Sequence, residues 1–140
     1  MRFVTTGAMA GALFAVAAQA EGPLALDNPV MVSGIETVCT GIAQTRDDPR
    51  WTAYPVRIEL SNTAAQLVAD AHVVLAKASG AKLAEFDCPA SLVLFKLSPG
   101  RYKVTATISP TPRGTASATF NAPSKGQKRV ELVFTGASAK

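Results

Sequence analysis

Residues 86–108 read FDCPASLVLFKLSPGRYKVTATI and contain the clearest fold signals in the chain. The last eight residues, RYKVTATI, place apolar side chains at every second position, which is typical of a β-strand with one buried face. The run SLVLF at 91–95 is short and continuously apolar, as expected for a strand covered on both faces. Between the two strands, Pro99-Gly100 predicts a turn. The side chains predicted to face the core are Tyr102, Val104, Ala106 and Ile108.

Alternating segments of the same kind recur on either side of this stretch, separated by glycine and proline. They are VRIEL (56–60), AHVVLAKA (71–78), KLAEFDC (82–88), TASATFNA (115–122) and RVELVF (129–134). The alanine-rich stretch at 62–78 also fits a helix by propensity, but Val73-Val74 and the flanking strands favour a strand. The sequence therefore predicts an all-β fold, a seven-stranded antiparallel sandwich of two packed sheets with immunoglobulin-like architecture.

The N-terminal part of the chain has the layout of a secretory signal peptide. Arg2 precedes an apolar segment of 11 residues, Ala8 to Ala18, and Ala18-Gln19-Ala20 matches a cleavage site. The segment is shorter than the roughly 20 residues that a membrane-spanning helix needs. We therefore expect cleavage near Ala20 and a periplasmic or secreted bacterial protein without a membrane span.

The predicted divisions of the chain follow from these patterns. Residues 1–20 are the signal peptide, 21–55 an N-terminal extended segment and loop, 56–135 the sandwich core and 136–140 a C-terminal tail. The formal net charge of +4 is modest, and its basic residues are scattered apart from Lys125, Lys128 and Arg129. Without interleaved aromatic side chains, this cluster is predicted to be a solvated turn, and nucleic acid is not an expected partner.

Two cysteines, Cys39 and Cys88, form an even pair in a chain predicted to be exported, where disulfides persist. We expect a structural disulfide that ties the N-terminal segment to the sandwich. Two free thiols or a reactive thiol are the alternatives, but the C-x-x-C spacing of redox pairs is absent.

Residues 97–106, LSPGRYKVTA, carry a leucine, a Pro-Gly pair and then Tyr-x-Val-x-Ala. This pattern resembles a recurrent feature of the carboxypeptidase regulatory-like, transthyretin-related domains, and the span from Tyr54 to Ile108 fits it. The resemblance implies a transthyretin-like sandwich with an accessory, surface or binding role. Independently of the family, a tyrosine at such a corner often donates its hydroxyl to a backbone carbonyl a few residues upstream, which here predicts such a bond from Tyr102.

Few residues offer catalytic chemistry. His72 is the only histidine, and Asp70 is predicted to share its strand face, but no G-x-S-x-G motif supplies a nucleophile. One histidine and a paired set of cysteines are too few ligands for zinc. We expect no enzyme activity, no cofactor and no metal, and a hydrolase built around His72 is the weakest alternative.

The loop DDPRWTAYP, residues 47–55, carries the only tryptophan of the chain. Because arginine and aromatic side chains are frequent in binding hot spots, Arg50, Trp51 and Tyr54 form a candidate binding loop. The interpretation that we favour is that Trp51 folds inward and plugs the open end of the sandwich. The sequence thus predicts a non-catalytic accessory or binding protein of the cell envelope. Its partner is an unidentified envelope protein or a glycan, and binding through the Trp51 loop, as an inhibitor for example, is a second hypothesis.

Overall fold

The structure is a computed structural model that describes residues 22–108 and 114–135. The predicted signal peptide and the predicted C-terminal tail lie outside the described residues. Within them, the regular elements are nine β-strands and two short 3₁₀ helices, Ala43–Asp47 and Pro49–Ala53. The strands are β1 (Val30–Val32), β2 (Ile35–Thr40), β3 (Val56–Asn62), β4 (Ala71–Lys77), β5 (Lys82–Cys88), β6 (Leu92–Phe95), β7 (Gly100–Thr107), β8 (Thr115–Ala122) and β9 (Lys128–Phe134).

The strands form two sheets, which pack as a sandwich. One sheet has five strands in the order β1-β2-β6-β3-β9, and the other has four in the order β5-β4-β7-β8. All pairings between these strands are antiparallel except the one between β3 and β9, which runs parallel from Val56 opposite Lys128 to Asn62 opposite Phe134. The outermost strands are therefore β1 and β9 in one sheet and β5 and β8 in the other.

The all-β prediction is confirmed, and each of the seven predicted strands is present. The region predicted as a strand despite its helical propensity is β4. The strand count differs, because residues 28–42 form a hairpin of β1 and β2 instead of one extended segment. The chain reverses at Ser33 and Gly34, whose φ angles are 50° and 84°. Both strands belong to the five-stranded sheet, so the sandwich begins before residue 56.

The core lies between the inner faces of the sheets and follows the predicted alternation. In β7, Tyr102, Val104 and Ala106 are buried, whereas Arg101 and Lys103 are exposed. All four residues of β6 are buried, as the continuous apolar run predicted. One set of β6 side chains faces the core, and the other set is covered from outside by the segment that contains the two 3₁₀ helices.

The Pro-Gly corner has the predicted hydrogen bond. The hydroxyl of Tyr102 donates to the carbonyl oxygen of Ser98 at 2.8 Å. Its ring stacks on Phe120 of β8, with 6.0 Å between ring centroids. Leu97, just before the turn, is buried in the core. This corner fixes the start of β7, on which β4 and β8 both pair.

Candidate functional site

The segment predicted as a binding loop lies flat on the outer face of the five-stranded sheet. Asp48 begins its second 3₁₀ helix by accepting a hydrogen bond from the backbone N–H of Arg50, and Pro49 occupies the first helical position. The indole of Trp51 then points towards the sheet, and its Nε1 donates to the carbonyl oxygen of Thr45 at 2.7 Å. Gln127 holds the same segment from the other side, donating to the carbonyl oxygens of Trp51 and Tyr54.

Trp51 is only 1% exposed and forms a second apolar cluster outside the main core. The members of this cluster are Val38, Trp51, Tyr54, Leu92 and Leu94. The prediction that Trp51 folds inward is therefore confirmed, but it covers the face of the sheet rather than the open end of the sandwich. The hypothesis of binding through the Trp51 loop needs an exposed indole, and this conformation does not provide one. Arg50 alone of the three candidate residues remains exposed.

Charged groups surround the two aromatic rings. The guanidinium of Arg50 lies 4.6 Å from the centroid of the Trp51 ring, and Lys96 Nζ lies 5.3 Å from that of Tyr54. Burial, and then the hydrogen bond of its hydroxyl to Glu36, raise the pKa of Tyr54 to about 12. Hydrogen bonds from Arg50 hold the pKa of Asp48 below its usual value. Tyr54 is thus a neutral hydrogen-bond donor at neutral pH, and the arrangement holds the loop against the sheet.

Beside this loop, the outer face contains a buried carboxylate that the sequence pattern predicted to be exposed. Both oxygens of Glu59 accept from Arg129 at 2.8 Å, one accepts from Arg57 at 2.7 Å, and Arg46 lies 3.6 Å away. The side chain of Glu59 is 6% exposed. Burial alone raises the pKa of Glu59, but the hydrogen bonds from Arg57 and Arg129 outweigh it and leave the pKa below its ordinary value. Glu59 is therefore a charged link between the loop and strands β3 and β9.

The predicted disulfide joins the two sheets. Cys39 on β2 and Cys88 on β5 are bonded, with 5.6 Å between their Cα atoms, and both are fully buried. The chain just before β1 passes close to this disulfide. Leu24 donates its backbone N–H to the carbonyl oxygen of Asp87, and Leu26 forms a β-bridge with Cys39. The bond is thus a structural cross-link between the layers, and it is shielded from solvent.

His72 lies on the outer face of the four-stranded sheet between two carboxylates of β5. It is directly opposite Asp87, which contacts Nδ1 at 2.6 Å, and Glu85 contacts Nε2 at 2.6 Å. Glu85 also accepts from Lys82. The carboxylates that contact the imidazole therefore come from β5, whereas the alternation of the sequence had predicted Asp70 on the same face as His72. Asp70 lies just before β4 with a positive φ of 67°, which interrupts the alternation between the two residues.

This geometry favours the imidazolium form of His72. A neutral imidazole has one N–H, so only the protonated ring can donate to both carboxylates. The hydrogen bonds to Asp87 and then to Glu85 raise the pKa of His72 above its ordinary value. With both nitrogens engaged as donors, the ring has no free nitrogen to accept a proton from a hydroxyl or a water. A role as general base would require one of these contacts to break.

Two cavities open next to each other at the end of the sandwich where β4 begins and β5 ends. Their volumes are about 420 Å³ and 250 Å³, and both are lined by Asp70 and Pro89. The larger has mainly apolar walls and includes the exposed side chains of Ile42 and Leu67. The smaller includes His72 and Asp87. No sequence motif marked this region, because its walls come from several separate parts of the chain.

Within residues 22–108 and 114–135, no three histidine, cysteine, aspartate or glutamate side chains are arranged so that they could hold a metal ion. In the same residues, no helix has the length and hydropathy of a membrane span. Comparison of the chain with family models, curated proteins and solved structures found no significant match in any of the three. The family resemblance of residues 97–106 therefore stays a prediction from the sequence.

Proposed function

We propose that this protein is a non-catalytic, exported β-sandwich that binds another component of the bacterial cell envelope, as an accessory protein. The transthyretin-like relationship is part of this proposal. It is supported by the two-sheet architecture and by the corner at which Tyr102 donates to Ser98. The disulfide between Cys39 and Cys88 supports export, because such bonds persist in oxidising compartments.

The non-catalytic part of the proposal is supported by the state of His72. Both ring nitrogens are held by carboxylates, and the aromatic side chains of the 43–54 segment are used in packing. These residues stabilise the surfaces on which they lie. Function is then expected from a surface that the fold leaves available to a partner.

The observation that carries the binding function is the outer edge of β8. This strand of eight residues pairs with β7 on one side, and no described strand pairs with its other side. An unpaired row of backbone N–H and C=O groups is a template for a further strand. We therefore assign partner binding to the β8 edge.

Photo-crosslinking in intact bacterial cells tests this function. A photoreactive amino acid replaces Ser117, an exposed residue in the middle of β8, and in a matched control replaces Glu131, an exposed residue in the middle of β9. We expect the protein in the periplasmic or secreted fraction, with its N-terminus processed, and a defined adduct from position 117 only. Cytoplasmic protein with free thiols, or the same adducts from both positions, would contradict the proposal.

A further inference from the structure

Building on the proposed function, we infer that the β8 edge binds an extended segment of a partner protein in which apolar side chains alternate with acidic ones. The segment adds as a fifth strand beside β8. Its backbone pairs with β8, its apolar side chains cover the core at this edge, and its carboxylates face Arg101 and Lys103 of β7. Three independent features of the four-stranded sheet carry this inference.

The first feature is the contrast between β8 and the other outer strands. β1 has three residues, and the end of β5 is partly covered, because Leu24 donates to the Asp87 carbonyl. Strands β5 and β9 also carry charged side chains, which discourage a further strand. The charged residues concerned are Lys82, Glu85, Asp87, Lys128, Arg129 and Glu131. All eight residues of β8 lack a charge, and none is proline. Of the outer strands that the structure describes, β8 is therefore the one long strand without charged side chains.

The second feature is incomplete cover of the core beside β8. Ala116 and Ala118 pack against the core and lie opposite the fully buried Ala106 and Val104 of β7. Both alanines are nevertheless partly exposed, because their side chains are small and no described strand pairs with β8 on its outer side. Apolar side chains on the inner face of an added strand would bury these methyl groups. The interior of the sandwich thus favours apolar residues at alternate positions of the partner.

The third feature is the distribution of charge on the outer face of the same sheet. Arg101 lies opposite Asn121 and Lys103 opposite Thr119, so two cations stand one strand in from the edge. The carboxylates of this face, Glu85 and Asp87, lie on β5 at the far side, where they contact Lys82 and His72. An added strand would lie about 10 Å from β7, which long basic and acidic side chains can bridge. Acidic residues therefore fit the outward positions, whereas β8 of a second copy of the chain has no carboxylate to offer these cations.

Peptide binding to the oxidised, processed protein tests this inference. The probes are a nine-residue peptide that alternates valine with glutamate, a matched peptide that alternates valine with lysine, and a version of the first with N-methylated amides. Affinities come from titrations followed by amide chemical shifts. We expect the glutamate peptide to bind about tenfold more tightly than the lysine peptide, with shifts along residues 115–122. N-methylation should weaken binding by about tenfold or more, because it removes backbone hydrogen bonds.

Two variants separate charge recognition from a change in the fold. The double variant Arg101→Glu/Lys103→Glu alters exposed side chains and should reverse the preference in favour of the lysine peptide. The control Lys128→Glu, on the exposed β9 strand, should leave the preference unchanged. Equal affinities for both peptides, shifts confined to another surface, or dimerisation of the free protein through β8 would overturn the inference.

The two proposals fail in different ways. A crosslink from position 117 in cells together with equal peptide affinities would support the proposed binding function. It would contradict the inference that the partner segment is acidic. Selective binding of the glutamate peptide in vitro without any crosslink from position 117 in cells would instead contradict the proposed function. In that outcome the inferred preference of the β8 edge for acidic segments, which rests on Arg101 and Lys103, would still stand.

Discussion

Removal of the disulfide should lower the stability of this protein more than most single changes in its core. The double variant Cys39→Ala/Cys88→Ala releases a cross-link between residues that are 49 positions apart. In the chain-entropy relation, a loop of this size contributes about 4 kcal/mol near room temperature, because the bond restricts the unfolded chain. That is a large fraction of the roughly 5–15 kcal/mol by which single domains are stable.

Urea denaturation followed by far-ultraviolet circular dichroism measures this loss. With an m-value of about 1.5 kcal/mol per molar, the unfolding midpoint should fall by about 2.5 M. Wild-type protein held in reductant is the matched control, since it lacks the bond but retains both sulfur atoms in the core. The double variant should lie at or slightly below this control, because each alanine leaves a small void beside β2 or β5.

A fall in the midpoint of less than about 0.7 M, close to 1 kcal/mol, would refute the reasoning. It would mean that the unfolded chain already keeps these two regions together, or that the sheets hold each other without the bond. A fall of the expected size in the reduced wild type as well as in the variant would assign the effect to the cross-link rather than to packing.

Three further predictions concern the charged and aromatic groups of the two outer faces. Glu59→Gln should destabilise the protein by about 1–2 kcal/mol. In the wild type, the contribution of Glu59 is complete above the unfolded pKa of 4.5 and is lost as the pH falls through the lower folded value. The melting temperature should therefore fall less steeply between pH 6 and pH 3 in the variant than in the wild type. Equal slopes would argue against the hydrogen bonds that the Glu59 carboxylate accepts from Arg57 and Arg129. For His72, an NMR titration should give a pKa above 6.5, and Asp87→Asn should lower this pKa. The stabilisation from the contacts of His72 with the two carboxylates is present below the unfolded pKa of 6.5 and is lost as the pH rises through the folded value. Trp51 fluorescence should have a short emission wavelength, resist acrylamide quenching and shift to the red on unfolding; an emission like that of free tryptophan would contradict its burial.

Much of the fold could be predicted, because the alternation of apolar and polar residues in a strand can be read from a short stretch of sequence. The strands after residue 50 and the buried faces of β7 and β9 follow directly from the spacing of apolar residues. The continuous run at 91–95 indicated a strand covered on both sides, and β6 is such a strand. The hairpin of β1 and β2 was missed although its turn carries Ser33-Gly34, a recognised turn pair.

The surroundings of His72 could not be predicted, because they depend on a bulge. Near the hairpin turn, Ala76 pairs with Lys82, and continuing that register would place His72 opposite the inward-facing Phe86. A register shift between Leu75 and Ala76 moves the pairing by one residue and brings His72 opposite Asp87. Nothing in the alternation of β4 or β5 marks the position of this shift.

The environment of Glu59 was missed for a related reason. A period of two assigns Glu59 to an outward and therefore exposed position. Arg129 reaches it because β9 lies parallel to β3, and Arg46 because the 43–54 segment folds across the sheet. Both partners are set by pairings between distant parts of the chain, which local patterns do not report. The same holds for Trp51, whose burial was predicted but whose place on the sheet face was not.

The parallel pairing of β3 with β9 also affects the order in which the protein can fold. Residues 56 and 128 are neighbours in the sheet although 72 positions separate them in the chain, and β9 is the last strand described. Pairings of such long range form slowly, because the intervening chain must be ordered first. Until β9 has been synthesised, β3 lacks its outer neighbour and Glu59 lacks Arg129. An intermediate that lacks β9 would therefore expose the backbone edge of β3 to pairing with another chain until the last described strand joins the sheet.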